Sequence, residues 1–189
     1  MPASLFVFMG LIASGKSTLA RGLAKQFSLP YFNTDVVRKE LSGKMPESRQ
    51  GSPLNQGIYT PEFTRMTYDA LLGHARRELS GNQSVVLDGS YHKRSERERV
   101  AQCAAEWGAS LFFILCQCDE EETARRLAMR ARNPQAVSDG TWEIFQRQKE
   151  SFEFPDELPG NSLIVFDTKG SAPQLLQKFV SILSESHAV

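Results

Sequence analysis

The chain is organised around the octapeptide Gly10-Leu11-Ile12-Ala13-Ser14-Gly15-Lys16-Ser17. This stretch matches the pattern G-x-x-x-x-G-K-[ST], the phosphate-binding loop, which joins a strand to a helix. An apolar run from Ser4 to Met9 precedes it and predicts a buried strand. Leu19 and Leu23 follow it at helical spacing. The sequence therefore begins with a predicted strand, a phosphate loop and a helix from about Gly15 to Phe27.

Each fixed position of this motif has a chemical reason. Gly10 and Gly15 allow the backbone conformations that aim N–H groups at phosphate oxygens. Lys16 can reach the terminal phosphates, Ser17 can offer its hydroxyl to Mg²⁺, and the dipole of the following helix adds positive charge. A plain glycine turn is the alternative interpretation. The sequence thus predicts a nucleoside triphosphate with Mg²⁺, bound through Gly10, Ala13, Ser14, Gly15, Lys16, Ser17 and Thr18.

The composition narrows the class of protein. A chain of 189 residues is expected to form one domain, residues 1–189. Its 22 basic and 22 acidic residues balance, which argues against a protein that coats nucleic acid and leaves room only for a local basic patch. The three cysteines lack paired C-x-x-C spacing and are interpreted as reduced thiols, not a zinc site. Without a signal-peptide pattern or a run of about 18 apolar residues, the chain is expected to be cytoplasmic and independent of membranes.

Strand-like runs alternate with helical patterns along the whole chain. The predicted strands are residues 4–9, 31–34, 84–89, 110–117 and 162–166. This alternation predicts an α/β fold with a parallel sheet covered by helices on both faces. Between the second and third strands, Thr60-Pro61 predicts a helix start, and His74 on the apolar stripe of that helix is interpreted as a packed residue. Ligands in such folds bind at the carboxyl ends of the strands, so the polar residues there are the site candidates.

Asp88 ends the third predicted strand. An acid at this position of a phosphate-loop protein holds Mg²⁺ directly or through water, and the alternative is a turn aspartate. The next residue is Gly89, where hydrolytic ATPases of the common type carry a catalytic glutamate. The chain also lacks an N-K-x-D stretch that could read guanine. A mechanical ATPase and a GTP-driven switch are therefore disfavoured.

Asp35 and Arg38 follow the second predicted strand at a spacing that places them on one face of a helix. The carboxylate of Asp35 could accept the proton of a substrate hydroxyl, while the Arg38 guanidinium could hold an anionic group of the same substrate. The alternative is a helix cap followed by a surface arginine. The sequence favours both as substrate-binding residues.

Two segments are candidates for covering the site. Residues 44–60 are rich in Pro, Gly, Ser, Asn and Gln and predict a loop that either covers the substrate or is disordered. Arginines cluster further on, and they predict either a solvated helix or a lid over residues 126–138 that neutralises the transferring phosphoryl group. Arg130 is the first candidate for that catalytic role, and Arg126 is a predicted cofactor-binding residue.

Taken together, these stretches resemble the small phosphate-loop kinases related to polynucleotide kinase, gluconate kinase, chloramphenicol phosphotransferase and the zeta toxins, including bacterial kinases of unassigned substrate. The resemblance covers nearly the whole chain and rests on Gly10 to Thr18, Asn33 to Leu41, Val85 to Gly89 and the arginine-rich segment. It implies a three-layer sandwich of the phosphate-loop NTPase type with a five-stranded parallel sheet, ATP with Mg²⁺, and an arginine lid. It also implies that Asp35 is the base toward the acceptor hydroxyl and, in polynucleotide kinases, that Arg38 holds a substrate phosphate.

The resulting expectation is an ATP-dependent kinase that phosphorylates a hydroxyl of a small molecule. Lys16, Asp35 and Arg130 are the expected catalytic residues, and Ser17 and Asp88 are the expected metal ligands. A polynucleotide or nucleotide 5′-kinase is the alternative of the same class, although the balanced charge departs from a strand-binding enzyme. A non-catalytic nucleotide-dependent binding module or a toxin-like effector is the alternative of another class. The sequence does not identify the acceptor.

Overall fold

Each segment that the sequence marked as a strand lies in one β-sheet. A computed structural model describes residues 2–43, 57–132 and 141–185. Residues 44–56 of the predicted substrate-covering loop and residues 133–138 of the predicted lid lie outside the described residues. The elements are β1 (Ser4–Met9), α1 (Lys16–Phe27), β2 (Tyr31–Asn33), α2 (Thr34–Leu41), a 3₁₀ turn (Gly57–Tyr59), α3 (Pro61–Ser80), β3 (Val85–Asp88), α4 (Arg94–Glu106), β4 (Ser110–Gln117), α5 (Glu120–Ala131), α6 (Trp142–Ser151), β5 (Leu163–Asp167) and α7 (Ala172–Glu185).

The sheet has the order β2-β3-β1-β4-β5, and each neighbouring pair is parallel. β1 is central and buried along its whole length, as its continuous apolar sequence predicts. The register pairs Phe8 of β1 with Asp88 of β3, and Asn33 of β2 with the same Asp88. The expected α/β fold with a five-stranded parallel sheet is confirmed, and the carboxyl ends of its three neighbouring strands β2, β3 and β1 meet at one edge.

Two apolar layers hold the helices against the sheet. Leu5, Val7 and Met9 pack on one face against α3 and α4, whereas Phe6 and Phe8 pack on the other face against α1 and α7. The alternation of side chains along a strand explains this division. The resulting helix–sheet–helix sandwich places the loops that follow the strands at one end of the molecule.

Local capping signals position the helices near that end. Asn33 caps α2, because its side-chain oxygen accepts hydrogen bonds from the backbone N–H groups of Asp35 and Val36. The helix begins at Thr34, so Asp35 is its second residue. Thr60 caps α3 with Pro61 at the first helical position, as predicted.

His74, farther along α3, stacks on Phe32 with a distance of 4.3 Å between ring centroids.

A buried ion pair ties α4 to the segment that precedes β5. Arg97 donates to both carboxylate oxygens of Glu157, at 2.5 and 3.0 Å, and also to the carbonyl oxygen of Tyr91 at 2.9 Å. The side chains of Arg97 and Glu157 are 0% and 6% exposed. The Arg97 guanidinium lowers the pKa of Glu157, so the Glu157 carboxyl group stays ionised. This pair fixes the loop between β3 and α4 against the rest of the fold.

Within the described residues, none of the helices combines the length and the apolar character that crossing a membrane requires.

Candidate active site

The phosphate loop is shaped by two glycines whose positions accept no side chain. Gly10 has φ 135°, and a Cβ atom there would lie 2.3 Å from the carbonyl oxygen of Cys116. Gly15 has φ 85°, and its Cβ would lie 2.8 Å from Oγ1 of Thr168. Both the backbone conformation and the space therefore require glycine. The loop leads directly into α1, which begins at Lys16, so the positive N-terminal end of that helix lies at the loop.

The other predicted cofactor-binding residues of this stretch lie in the loop and in the first turn of α1. Ala13 has φ 61°, a left-handed conformation for a non-glycine residue. The hydroxyl of Ser14 is buried and has no hydrogen-bond partner among the described residues. Lys16 donates from Nζ to the carbonyl oxygen of Leu11 at 3.2 Å, so its amine lies over the loop. Ser17 and Thr18 occupy the first turn of α1, and the N–H of Thr18 donates to the carbonyl oxygen of Gly15 at 3.1 Å.

Arg126 braces the loop from α5. Its guanidinium donates to the carbonyl oxygen of Ala13 at 3.1 Å and to both Oγ1 and the carbonyl oxygen of Thr168, at 3.1 and 2.6 Å. Nε donates to Glu122 at 2.7 Å. Arg125 and Arg126 lower the pKa of Glu122 to about 2, so this carboxylate stays ionised. The sequence marked Arg126 as a cofactor-binding residue. Its pairing with Glu122 follows from the i,i+4 spacing on a helix, whereas its contact with Thr168 depends on how α5 packs.

Asp88 is fully buried, and its two oxygens have different surroundings. Oδ2 accepts hydrogen bonds from the hydroxyl of Tyr31 and from the side-chain amide of Asn33, both at 2.6 Å. Oδ1 has no hydrogen-bond partner among the described residues. A buried carboxylate oxygen without a partner is costly unless a ligand satisfies it. Together with the hydroxyl of Ser17, this oxygen supplies the hard donors that Mg²⁺ prefers, so the residues present fit the ion.

The partners of Asp88 come from β2. Burial, and then the charge of Asp88, raise the pKa of Tyr31, so the phenol stays protonated and donates. Asn33 uses its amide nitrogen for Asp88 and its oxygen for the cap of α2. The two residues thus orient the carboxylate and leave Oδ1 as its available oxygen. Sequence analysis placed both in the second strand and used Asn33 in the family resemblance, but it gave neither residue a role at Asp88.

Asp35 is half-buried in the first turn of α2. Burial raises the pKa of its carboxyl group, the positive charge of Lys16 opposes this shift, and the negative charge of Asp88 adds to it. Three of the predicted residues therefore influence one another, because the charges of Lys16 and Asp88 both shift the pKa of Asp35. A carboxylate with a raised pKa is suited to accept a proton.

Arg38 is used within the fold. It is 7% exposed, and its Nη1 donates to the carbonyl oxygen of Ile58 at 2.7 Å and to Oγ1 of Thr64 at 3.1 Å. Its guanidinium also lies over the ring of Tyr59, 5.1 Å from the centroid. Arg38 therefore ties α2 to the 3₁₀ turn and to α3. The sequence did not foresee these contacts, and a substrate-binding role of Arg38 stays a prediction.

A cleft of about 460 Å³ lies beside the phosphate loop, between α5 and the start of α7. Arg130 lines it and is half-buried. Burial and the neighbouring Arg126 lower the pKa of Arg130, and the negative charges of Asp35 and Asp88 oppose this shift. The guanidinium thus lies within the electrostatic reach of both acids of the site. The cleft is lined by Gly15, Thr18, Leu19, Glu122, Arg125, Arg126, Met129, Arg130, Thr168, Gly170, Ala172 and Leu175.

Gln148 of α6 supports the loop from the other side. Its Oε1 accepts a hydrogen bond from the backbone N–H of Ile12 at 2.9 Å. Phe145 of the same helix packs with Ala13 and Leu127 in a small apolar cluster under the loop. The contact spans 136 positions of sequence, and no local pattern signals it. Gln148 is therefore a site residue that sequence analysis missed.

We expect Gln148→Ala to weaken the affinity for Mg·ATP by about 10-fold, because losing the partner of a part-buried N–H group costs roughly 1–3 kcal/mol. Titration calorimetry measures this change. Gln102→Ala, on the exposed face of α4, is the matched control and should bind as the wild type does. An unchanged affinity of Gln148→Ala would show that the loop does not depend on α6.

The chain is similar to several known proteins. The family model for the AAA domain named AAA_33 matches residues 5–155. An uncharacterized protein of Mycobacterium tuberculosis is 30% identical over 131 residues, which is 69% of this chain and 26% of that protein. The chain thus spans about a quarter of the length of this relative. An adenylate kinase of Clavibacter michiganensis is 26% identical over 147 residues, covering 76% of this chain and 72% of the relative.

Solved structures share the fold. A gluconokinase from Sinorhizobium meliloti superposes with a TM-score of 0.68 at 22% identity, over 97% of this chain and 93% of that one. At this identity the likeness establishes the architecture alone. The family match covers most of the chain and includes the phosphate loop, Asp35 and Asp88. The chain therefore belongs to the AAA_33 family, and its similarity to an adenylate kinase agrees with the resemblance to small phosphate-loop kinases that its sequence shows.

Proposed function

We propose that the chain is an ATP-dependent phosphotransferase that moves the γ-phosphoryl group to a hydroxyl of a small molecule. The observation that carries this proposal is the position of Asp35: Asn33 accepts from the N–H of Asp35 and donates to Asp88, and the positive charge of Lys16 acts on the Asp35 carboxyl group. Lys16 belongs to the donor side of the reaction, and a basic carboxylate belongs to the acceptor side. Their proximity suits transfer between two bound substrates.

Each residue has a role in this proposal. The loop N–H groups and Lys16 hold the β- and γ-phosphates, and the nucleoside extends toward the cleft beside α5. Ser17 and Asp88 would hold Mg²⁺, which supplies charge neutralisation on the phosphates when bound. Asp35 accepts the proton of the acceptor hydroxyl, and Arg130 stabilises the negative charge of the transition state. The free cysteines fit the reducing conditions of the cytoplasm, the location that we propose.

Lys16→Ala tests the donor half. We expect it to weaken Mg·ATP binding by about 10-fold to 100-fold, because a hydrogen bond to a charged group contributes roughly 1.5–3 kcal/mol. Calorimetric titration of the wild type and the variant with Mg·ATP measures the difference, and Lys25→Ala at the exposed end of α1 is the control. Equal affinities for wild type and Lys16→Ala would remove the nucleotide-binding assignment.

A nucleotide or polynucleotide 5′-kinase is the second candidate, and the similarity to an adenylate kinase favours it. Filter binding of a single-stranded oligonucleotide at two salt concentrations tests the polynucleotide form, because an enzyme that binds phosphates along a strand loses affinity steeply as salt rises. ADP formation with a nucleoside monophosphate as the acceptor tests the nucleotide form. A non-catalytic binding module or a toxin-like effector is distinguished by ATP turnover. A phosphotransferase turns over ATP faster when its acceptor is present, whereas a binding module does not respond.

A further inference from the structure

Two side chains contact the backbone of the phosphate loop at Gly15. Thr168 directly follows β5 and is 1% exposed, and Arg126 lies on α5 and is half-buried. A Cβ atom at Gly15 would lie 2.8 Å from Oγ1 of Thr168 and 2.9 Å from Nη1 of Arg126. We call these two residues the Arg126–Thr168 clamp. The clamp joins α5 and the end of β5 to the loop.

The hydroxyl of Thr168 links Arg126 to the loop. Its oxygen accepts a hydrogen bond from Nη1 of Arg126 at 3.1 Å, so its own proton is available for a carbonyl oxygen. The carbonyl oxygen of Ser14 lies 2.6 Å away, and that of Gln117 lies 3.2 Å away. The Gln117 oxygen already accepts from the N–H of Thr168 at 2.9 Å. The Thr168 hydroxyl therefore donates to Ser14.

Two consecutive carbonyl groups of the loop thus point at the clamp. The carbonyl oxygen of Ala13 accepts from Nη1 of Arg126 at 3.1 Å, and that of Ser14 accepts from the Thr168 hydroxyl. In a planar trans peptide, the C=O and the N–H point in opposite directions. The N–H groups of Ser14 and Gly15, which belong to the same two peptides, therefore point away from the clamp.

The side of the loop opposite the clamp is the side where the amine of Lys16 lies. The N–H of Ser14 and Nζ of Lys16 both donate to the carbonyl oxygen of Leu11, each at 3.2 Å. Ala13 and Gly15 have φ values of 61° and 85°, and left-handed residues of this kind let successive N–H groups converge on an anion. The clamp therefore aims loop N–H groups at the space where Lys16 would hold phosphates.

The guanidinium of Arg126 uses all three of its nitrogens within the fold. Nε donates to Glu122 at 2.7 Å, Nη2 donates to the carbonyl oxygen of Thr168 at 2.6 Å, and Nη1 donates to Ala13 and to the Thr168 hydroxyl. A direct bond from Arg126 to a nucleotide would have to compete with these acceptors. Its contacts suit a residue that holds the loop.

From this geometry we propose that Arg126 and Thr168 are positioning residues, which hold the phosphate loop in its anion-binding conformation before the nucleotide arrives and act on the phosphates only through the loop. This inference rests on the proposed phosphotransferase function. It assigns a role to Thr168 and gives Arg126 an indirect role in place of direct cofactor binding. Both residues also line the cleft beside α5, so direct contact with the nucleoside is the alternative.

Inorganic tripolyphosphate separates the two roles, because it has the phosphate chain of ATP but no nucleoside. Thr168→Val keeps the size of the side chain and removes the hydroxyl. We expect this variant to bind Mg·ATP and magnesium tripolyphosphate more weakly by the same factor, about 10-fold, because buried groups that lose their partners make the clamped loop conformation costly. Titration calorimetry of the wild type and the variant with each ligand measures both affinities.

Two further threonine variants serve as controls. Thr168→Ser keeps the hydroxyl and should recover most of the affinity for both ligands. Thr67→Val also removes a buried hydroxyl, one that donates to the carbonyl oxygen of Phe63 within α3 at 2.8 Å. Thr67→Val should bind both ligands as the wild type does, which shows that the effect belongs to the clamp and not to the loss of a buried hydrogen bond in general.

Arg126→Gln tests the other half of the clamp, and it decides the question if Thr168→Val does not fold. We expect it to weaken the binding of both ligands by equal factors. Because the two residues act on the same loop, the double variant Arg126→Gln with Thr168→Val should bind about as weakly as Arg126→Gln alone, whereas independent effects would multiply.

The possible outcomes distinguish this inference from the proposed function. Weaker binding of Mg·ATP with unchanged binding of tripolyphosphate would make the two residues nucleoside ligands and overturn the inference. Unchanged affinities in Thr168→Val and Arg126→Gln would also overturn it, as would a wild type that binds Mg·ATP but not tripolyphosphate. All three results leave the phosphotransferase function standing. A wild type that binds neither ligand would remove both the inference and the proposed function.

Discussion

Asp35→Asn is expected to slow phosphoryl transfer by roughly 10²-fold to 10⁴-fold, the range that general base catalysis contributes. The amide has the shape of the carboxylate but cannot accept the proton of the acceptor hydroxyl. Affinity for Mg·ATP should change little, because the phosphate loop and Asp88 remain intact. Steady-state ADP formation in the presence of an acceptor, compared with calorimetric ATP titration, measures both quantities.

The Tm of Asp35→Asn shows whether the variant still folds normally. The cap of α2 uses the side chain of Asn33 and the backbone N–H of Asp35, so the substitution leaves the helix start in place. Burial also penalises the ionised Asp35 in the folded state, as its raised pKa indicates. We therefore expect an unchanged or slightly higher Tm. A normal rate of transfer in Asp35→Asn would make Asp35 a helix-start residue only.

The raised pKa of Asp35 also predicts how the rate depends on pH. The base form is present above the pKa and is lost as pH falls through it. Because the folded pKa lies above the ordinary value for aspartate, the rate should begin to fall at a higher pH than an exposed aspartate would allow. A profile of kcat/KM against pH measures this acid limb. An acid limb at the ordinary pKa of aspartate would contradict Asp35 as the base in this environment.

Arg97→Ala is expected to lower the free energy of unfolding by about 3–5 kcal/mol, because it leaves Glu157 buried without its partner. It also removes the donor to the carbonyl oxygen of Tyr91, which fixes the loop carrying Ser90 and His92. Urea unfolding measures the change. Arg94→Ala is a close control, since Arg94 pairs with Glu98 on the exposed side of the same helix, and such pairs contribute about 0.3–0.5 kcal/mol.

Two further comparisons test whether the buried ion pair accounts for the stability lost in Arg97→Ala. Replacing Arg97 and Glu157 together by Met and Leu should recover much of the lost stability, since apolar residues of similar size commonly replace buried ion pairs without loss. A loss in Arg97→Ala no larger than that in Arg94→Ala would contradict the importance of the buried pair.

Features encoded by neighbouring residues were predictable from the sequence. The strand, glycine loop and helix at the start of the chain follow from one short motif, and Thr60-Pro61 marks its helix start because capping needs only adjacent residues. β4 spans Ser110–Gln117, as its apolar pattern predicted. The order of strands places the phosphate loop, Asp35 and Asp88 at one edge of the sheet. Because strands and helices alternate along the sequence, this proximity of the predicted residues could be inferred before the structure was known.

Contacts between distant parts of the chain could not be predicted in the same way. Arg38 and Arg126 were recognised as arginines near the site, but their partners Ile58 and Thr168 depend on how separate elements pack. Gln148 carries no motif at all. A sequence pattern reports which side chains are available, whereas the three-dimensional packing decides which of them already have partners.

The central claim is transfer of a phosphoryl group from ATP to a hydroxyl, and its most direct test is identification of the product. The wild-type chain and Asp35→Asn are incubated with Mg·ATP and a pool of small hydroxyl compounds, and the mixtures are analysed by mass spectrometry. We expect the wild type to form a compound that carries one additional phosphoryl group, in an amount equal to the ADP formed, and we expect Asp35→Asn to form almost none. Formation of ADP and inorganic phosphate alone, at a rate that does not respond to the pool, would contradict the claim.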